Sequence, residues 1–134
     1  MTNIADSSDF SPKRIRNHRD LIVWRKGVAL AVETYQLVRK LPASERYILR
    51  EQMLRAAVSI PSNIAEGHDQ ISKGAFVRHL GISRGSLGEL DTLFEIAKEV
   101  GYHDEAVQEK AKLLSHEVGR MTWVLMKKLG TRHW

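Results

Sequence analysis

Apolar positions along this chain recur every three to four residues in four long stretches, and short breaks separate them. The first stretch covers roughly 19–40, where Trp24, Val28, Ala31, Tyr35 and Val38 fall on one face of a helix. Asp20 suits the positive N-terminal end of that helix, Arg39 and Lys40 suit its negative C-terminal end, and Leu41-Pro42 breaks it. The second starts between 42 and 44 and runs toward 66 on a stripe of Leu49, Met53, Ala56, Ile60 and Ile64, with Gly67 as its stop. Pro61 lies inside this stripe and is expected to kink the last turns, because it lacks an N–H and crowds the carbonyl four residues back. Ser62, Asn63 and Glu66 surround the proline and are expected to brace the backbone groups it frees.

The third stretch begins after Ser72 and ends near 100. Phe76, Leu80, Ser83, Leu87, Leu90, Phe94 and Ala97 alternate by four and three, which is the seam of a packed helix. Gly81, Gly85 and Gly88 also sit at helical spacing within it. Each interior glycine costs about 1 kcal/mol relative to alanine, and three cost about 3 kcal/mol. Close packing of a neighbouring helix against these small residues, within the bundle or between subunits, would offset that cost. The fourth stretch covers roughly 104–129, with Val107, Ala111, Leu114, Val118, Met121 and Leu125 as its stripe and Gly130 as its end. Asp104 and Glu105 complement the N-terminal dipole, Lys127 and Lys128 the C-terminal one. No segment alternates with the strand period. The pattern predicts an all-α, antiparallel up-down-up-down four-helix bundle over residues 19–130, preceded by a flexible basic arm (1–18) and followed by a short tail (131–134).

The chemistry available to such a bundle is limited. The chain has 134 residues and no cysteine, which suits one domain and excludes disulfides, thiolate metal sites and a thiol nucleophile. No apolar run is long enough to span a bilayer and no leader is visible, so a soluble, cytoplasmic protein without membrane partners is expected. Bundles often hold two metals on Glu-x-x-His pairs, but Ala65, Phe76, Val100 and Leu113 stand three residues before the histidines of the helical region. No His-x-x-x-His occurs either, and no metal or cofactor is expected. Gly81-Ile82-Ser83-Arg84-Gly85 matches the G-x-S-x-G of hydrolases, but that motif needs a strand before its turn. Here it falls within a continuous helical seam, and Ser83 is expected to pack as a small core residue. No catalytic residue is assigned.

Charge adds a partner class. Lys and Arg number 21 against 16 Asp and Glu, a net +5. Residues 1–67 carry 11 basic and 7 acidic side chains, the remainder 10 and 9, so the excess lies toward the N-terminus. Lys13, Arg14, Arg16 and Arg19 form the arm, and Arg46 and Arg50 follow at i and i+4 on the second helix. These six are candidate phosphate contacts for RNA or DNA, positioning the polyanion without reading bases. Surface or intersubunit ion pairs are the commoner use of arginines such as Arg46 and Arg50, and Glu45, Glu51 and Glu89 are nearby partners for them. Tyr47 and Tyr102 are available to stack bases, although core or interface packing is the commoner use of such residues.

Several of these segments resemble one family. Arg19-Asp20-Leu21-Ile22-Val23-Trp24 looks like the opening of the four-helix-bundle proteins known from 23S rRNA intervening sequences. Leu41-Pro42, Glu45-Arg46-Tyr47, Gln52 and the run Arg55-Ala56-Ala57-Val58-Ser59-Ile60-Pro61-Ser62-Asn63-Ile64-Ala65-Glu66-Gly67 are similar to that family's most distinctive motif. Gly85-Ser86-Leu87-Gly88-Glu89-Leu90 and Ala97-Lys98-Glu99-Val100-Gly101-Tyr102 resemble its third helix and the turn after it. The resemblance covers roughly 19–129 and implies an antiparallel bundle that can assemble as a homopentamer. It also implies kinship with the accessory protein of diversity-generating retroelements, a basic pentamer that binds nucleic acid and a reverse transcriptase. It brings no catalytic residues. The expected function is a non-enzymatic homo-oligomeric scaffold that binds RNA or DNA, the alternative being a scaffold for protein partners alone.

Overall fold

In the computed structural model, which describes residues 15–102 and 105–130 apart from the side chain of Val107, the apolar periodicity becomes four helices. They are α1 (Ile22–Val38), α2 (Glu51–Asp69), α3 (Lys73–Glu99) and α4 (Glu105–Lys128), with no strand among the described residues. No described helix is long and apolar enough to cross a membrane. Lys13, Arg14, His103, Asp104 and residues 131–134 lie outside the described residues.

The helix ends follow local chemistry. Ser72 caps α3, its hydroxyl accepting the Ala75 N–H at 3.1 Å. At the other end Tyr102 N–H bonds the Ala97 carbonyl at 2.7 Å, and Gly101 takes φ +91°, a conformation that glycine reaches without a Cβ clash. Asp20 neither caps α1 nor lies in its first turn. It sits in a 3-10 turn, His18–Asp20, and accepts the Arg16 N–H at 2.8 Å, while Leu21 occupies the cap position without a side-chain bond. A 3-10 turn, Ala43–Glu45, and a π-helical turn, Arg46–Arg50, lead into α2.

Gly67 does not stop the second helix as expected: α2 runs on to Asp69 with Gly67 buried inside it. A Cβ on Gly67 would lie 2.5 Å from His79 Cβ and 3.3 Å from the Ala75 carbonyl oxygen. The glycine therefore serves close approach of α3, not termination. The left-handed residue after α2 is Ile71, with φ 55°.

Cross-helix contacts fix the arrangement. Gly27 of α1 faces Pro61 of α2, and His18 bonds Asp69. Ser59 and Asn63 of α2 bond Ser86 and His79 of α3. Gln108 of α4 bonds Phe94 of α3, and Gly119 bonds Arg84. Lys26 and Glu33 of α1 pair with Glu117 and Lys110 of α4. In each of these four pairs residue numbers rise along one helix and fall along its neighbour, so adjacent helices run in opposite directions.

The stripes read from α2 and α3 are the core. Met53, Ile60, Ile64, Leu80, Leu90 and Phe94 are almost fully buried, and every seam residue from Phe76 to Ala97 is buried. The face of α1 differs in part from the expected one. Val38 is buried as expected, but Val23, Gly27, Leu30, Thr34 and Leu37 point inward with it, Trp24 and Ala31 flank them, and Tyr35 is exposed. Thr34 is tolerated because its hydroxyl donates to the Leu30 carbonyl at 2.9 Å. On α4, Ala111 and Val118 are buried as expected, but Gln108, Thr122 and Met126 join them while Leu114, Met121 and Leu125 lie at the margin.

A Cβ on Gly81 would lie 3.8 Å from Met126 Cε, an ordinary contact, whereas a Cβ on Gly85 or Gly88 would meet nothing within 4 Å. Within one chain, the expected close packing at these two glycines is therefore absent, because both face outward.

Candidate nucleic-acid interface

The residues around Pro61 build a polar seam between α2 and α3. Asn63 Nδ2 donates to the Ser59 carbonyl at 2.9 Å and to Ser59 Oγ at 3.0 Å, and Ser59 Oγ meets Ser86 Oγ at 2.9 Å. That orientation leaves Asn63 Oδ1 to accept from His79 Nδ1–H at 2.8 Å. His79 Nε2 in turn accepts from Gln70 and Arg78, each at 3.2 Å. Ser83, the serine of the G-x-S-x-G pattern, is fully buried and donates to the Ile60 carbonyl at 2.8 Å. Asn63 bonds the Ser59 carbonyl and not that of Ala57, which Pro61 frees; Gly67 admits His79, while the exposed Glu66 side chain has no hydrogen bond or ion pair among the described residues. The seam is a satisfied interhelical network with no group presented for chemistry. Among the described residues no three His, Asp or Glu side chains gather as metal ligands.

The end of the bundle formed by the start of α1, the end of α2, the start of α3 and the end of α4 has a different character. Asp69 accepts from His18 Nδ1–H at 2.7 Å, from the His18 N–H at 3.3 Å and from His68 Nδ1–H at 3.2 Å. These bonds, those from His18 first, hold the Asp69 carboxyl below its usual range. Asp20 is lowered likewise, chiefly by the Arg16 N–H. His18, placed in the flexible arm by sequence, is therefore docked, with its ring edge-on to Trp24 at 4.9 Å. Arg19 lies over the same indole at 5.3 Å, and Arg16 pairs with Asp20 at 3.9 Å.

Dividing the bundle at the helix midpoints exposes a charge asymmetry. The half that contains this end comprises residues 15–30, 60–86 and 117–130. Its basic residues are Arg16, Arg19, Arg25, Lys26, Lys73, Arg78, Arg84, Arg120, Lys127 and Lys128; its acidic ones are Asp20, Glu66, Asp69 and Glu117. Ten against four gives +6. The opposite half holds eight basic and nine acidic residues among those described, a net of −1. Lys73, Arg120 and Lys128 are exposed and have no acidic partner among the described residues. The chain order hides this pole because alternate helix ends contribute to it.

The six sequence candidates are divided by the fold. Arg16 and Arg19 lie at the basic end, and Lys13 and Arg14 fall outside the described residues. Arg46 and Arg50 lie at the other end of α2, about 28 Å away along the helix axis. Arg46 covers the Tyr47 ring at 5.8 Å, and Arg50 Nε is shielded from solvent without a hydrogen-bond partner. Tyr47 is 77% exposed, so it is not a core residue, and Tyr102 packs against the core margin. Sequence reasoning misses Trp123, which is exposed on α4 with Lys127 Nζ 4.5 Å from its ring centroid.

Comparison with known proteins supplies the relationship. The model of the family described as 23S rRNA-intervening sequence protein matches residues 19–123. A crystal structure of a protein of unknown function from the S23 ribosomal protein family, from Bacteroides thetaiotaomicron VPI-5482, aligns with a TM-score of 0.72 and 23% identity, covering 79% of this chain and 99% of that chain. At that identity the likeness is one of fold. No curated protein matches the chain.

Proposed function

The chain belongs to the 23S rRNA-intervening sequence protein family, and from that premise we propose that it is a non-enzymatic, homo-oligomeric scaffold that binds RNA or DNA through the basic end of its bundle. The observation that supports this reading is the +6 pole assembled from three separate segments against −1 in the opposite half. A pole of this kind attracts a polyanion by releasing counterions from phosphates, independently of sequence. Arg16 and Arg19 belong to the pole, Lys13 and Arg14 precede them in sequence outside the described residues, and Arg46 and Arg50 stand apart from it. Anisotropy of a labelled single-stranded RNA across a salt series tests the reading. The expected result is affinity whose logarithm falls linearly with log salt. Absence of binding at low salt overturns it.

The scaffold is expected to be a homo-oligomer, with a pentamer as the family resemblance implies. The outward-facing Gly85 and Gly88, which no helix of the same chain covers, support this part of the reading. Light scattering that returns a monomer mass at micromolar concentration overturns it. The alternative, a scaffold for a protein partner only, is favoured by exposed Tyr47 and Ile48 beside the unpartnered Arg50 Nε at the less basic end. Stoichiometric recovery of one protein from nuclease-treated lysate, with no nucleic-acid binding, would select it.

A further inference from the structure

His116, Arg120, Trp123 and Lys127 follow one another at steps of four, three and four along α4, and all four are exposed. That spacing places them in one row on the outer face, about 16 Å long. The core side of α4 is occupied by Ala111, Val118, Thr122 and Met126, so the row points away from the bundle. Trp123 is 44% exposed, and Lys127 stands over its ring. Neither Arg120 nor Lys127 has an acidic partner among the described residues. The other tryptophan among the described residues, Trp24, is half-buried against the core, with Arg19 and His18 beside its ring. The basic half therefore offers one exposed indole beside two cations that have no acidic partner among the described residues.

We infer that the nucleic acid taken by this end is single-stranded, with a base stacked on Trp123 and the adjoining phosphates held by Arg120 and Lys127. The inference rests on the nucleic-acid reading above and narrows its ligand class. Stacking on an aromatic side chain requires a base with a free face, which a single strand supplies at every position. Within a duplex each base face is covered by its neighbours, and the same row would meet phosphates only.

The test compares a fluorescein-labelled single-stranded RNA with a duplex RNA of the same sequence and length, using the full chain, Trp123→Ala and Trp123→Phe. Circular dichroism and thermal melting check that both variants are folded. Trp123→Ala is expected to weaken single-strand binding by about 5- to 150-fold while leaving duplex affinity and the salt slope unchanged. Trp123→Phe, which keeps a stacking face, is expected to retain most of the single-strand affinity. Binding of both probes that Trp123→Ala leaves unchanged, or weakens equally, overturns the stacking inference and leaves the polyanion reading standing. Failure of the unaltered protein to bind either probe at low salt overturns both.

Discussion

Gly67→Ala and Gly85→Ala are the same chemical change in two helix interiors, and the structure assigns them opposite signs. In each case the added methyl gains about 1 kcal/mol of helix propensity. At Gly85 nothing lies within 4 Å of the new atom, so the gain is kept. At Gly67 the methyl would lie 2.5 Å from His79 Cβ and 3.2 Å from Cγ, with the Ala75 carbonyl oxygen at 3.3 Å. His79 Cβ is fixed to the α3 backbone and cannot swing aside as a side-chain tip could. Relief requires α2 and α3 to separate, which stretches the 2.8 Å bond from His79 to Asn63. Overpacking costs about 1–3 kcal/mol, and loss of the buried hydrogen bond adds about 1 kcal/mol. The net for Gly67→Ala is a destabilisation of about 1–3 kcal/mol, against a stabilisation of about 1 kcal/mol for Gly85→Ala. Urea unfolding of both variants, with the midpoint and slope fitted together, measures these values. For a chain of this size about 1 kcal/mol moves Tm by roughly 3–5 °C. A Gly67→Ala protein as stable as the parent would refute the close approach of α2 and α3. If Gly85→Ala instead loses stability in a protein-concentration-dependent way, Gly85 lies in a subunit contact.

Three further outcomes are expected. Ile71 is 90% exposed and holds φ 55°, a conformation costly for a β-branched residue, so Ile71→Gly should stabilise the protein by about 0.5–1 kcal/mol in chemical denaturation. Asn63→Ala leaves the buried His79 Nδ1–H without its acceptor and should cost about 1–3 kcal/mol by the same assay. Asp69 has its carboxyl lowered by His18 and His68, so its contribution is complete above the ordinary carboxylate value of 3.8 and is lost as pH falls through the lower folded value. Asp69→Asn should therefore flatten the acid limb of the stability–pH profile, and an unchanged limb would count against the docking of His18 on Asp69.

The fold is largely legible in the sequence because α2 and α3 carry one apolar stripe each, and a single stripe admits a single inward face. Helix α1 carries two. Trp24, Val28, Ala31 and Tyr35 read as more apolar than Val23, Gly27, Leu30 and Thr34, yet the second set is the core. Gly27 gains its place from contact with Pro61, and Thr34 from an internal hydrogen bond, neither of which periodicity can reveal. Gln108 and Thr122 on α4 are buried for the same kind of reason, each bonded to a backbone carbonyl, Phe94 and Gly119 respectively. Glycines in the sequence announce a special position but not its partner. Gly67 reads as a helix end and is a contact, whereas Gly85 and Gly88 read as close contacts within the bundle or between subunits, and within the chain they face outward. The basic end is the least legible feature. Arginines adjacent in sequence suggest an arm and a second patch on α2, whereas the fold gathers residues from Arg16 to Lys128 at one end and leaves Arg46 and Arg50 at the other.

The central claim, that one end of the bundle meets a polyanion, is tested most directly by two triple variants with the same change in net charge. Lys73→Glu, Arg120→Glu and Lys128→Glu alter the basic end; Arg46→Glu, Arg55→Glu and Lys98→Glu alter exposed residues of the opposite half. Binding of a labelled single-stranded RNA across a salt series is measured for both. The account predicts that the first triple weakens binding and flattens the log–log salt slope by about 0.7 for each phosphate that is no longer neutralised, while the second leaves the slope near that of the parent. Equal losses of affinity in the two triples, or a larger loss in the second, would contradict it.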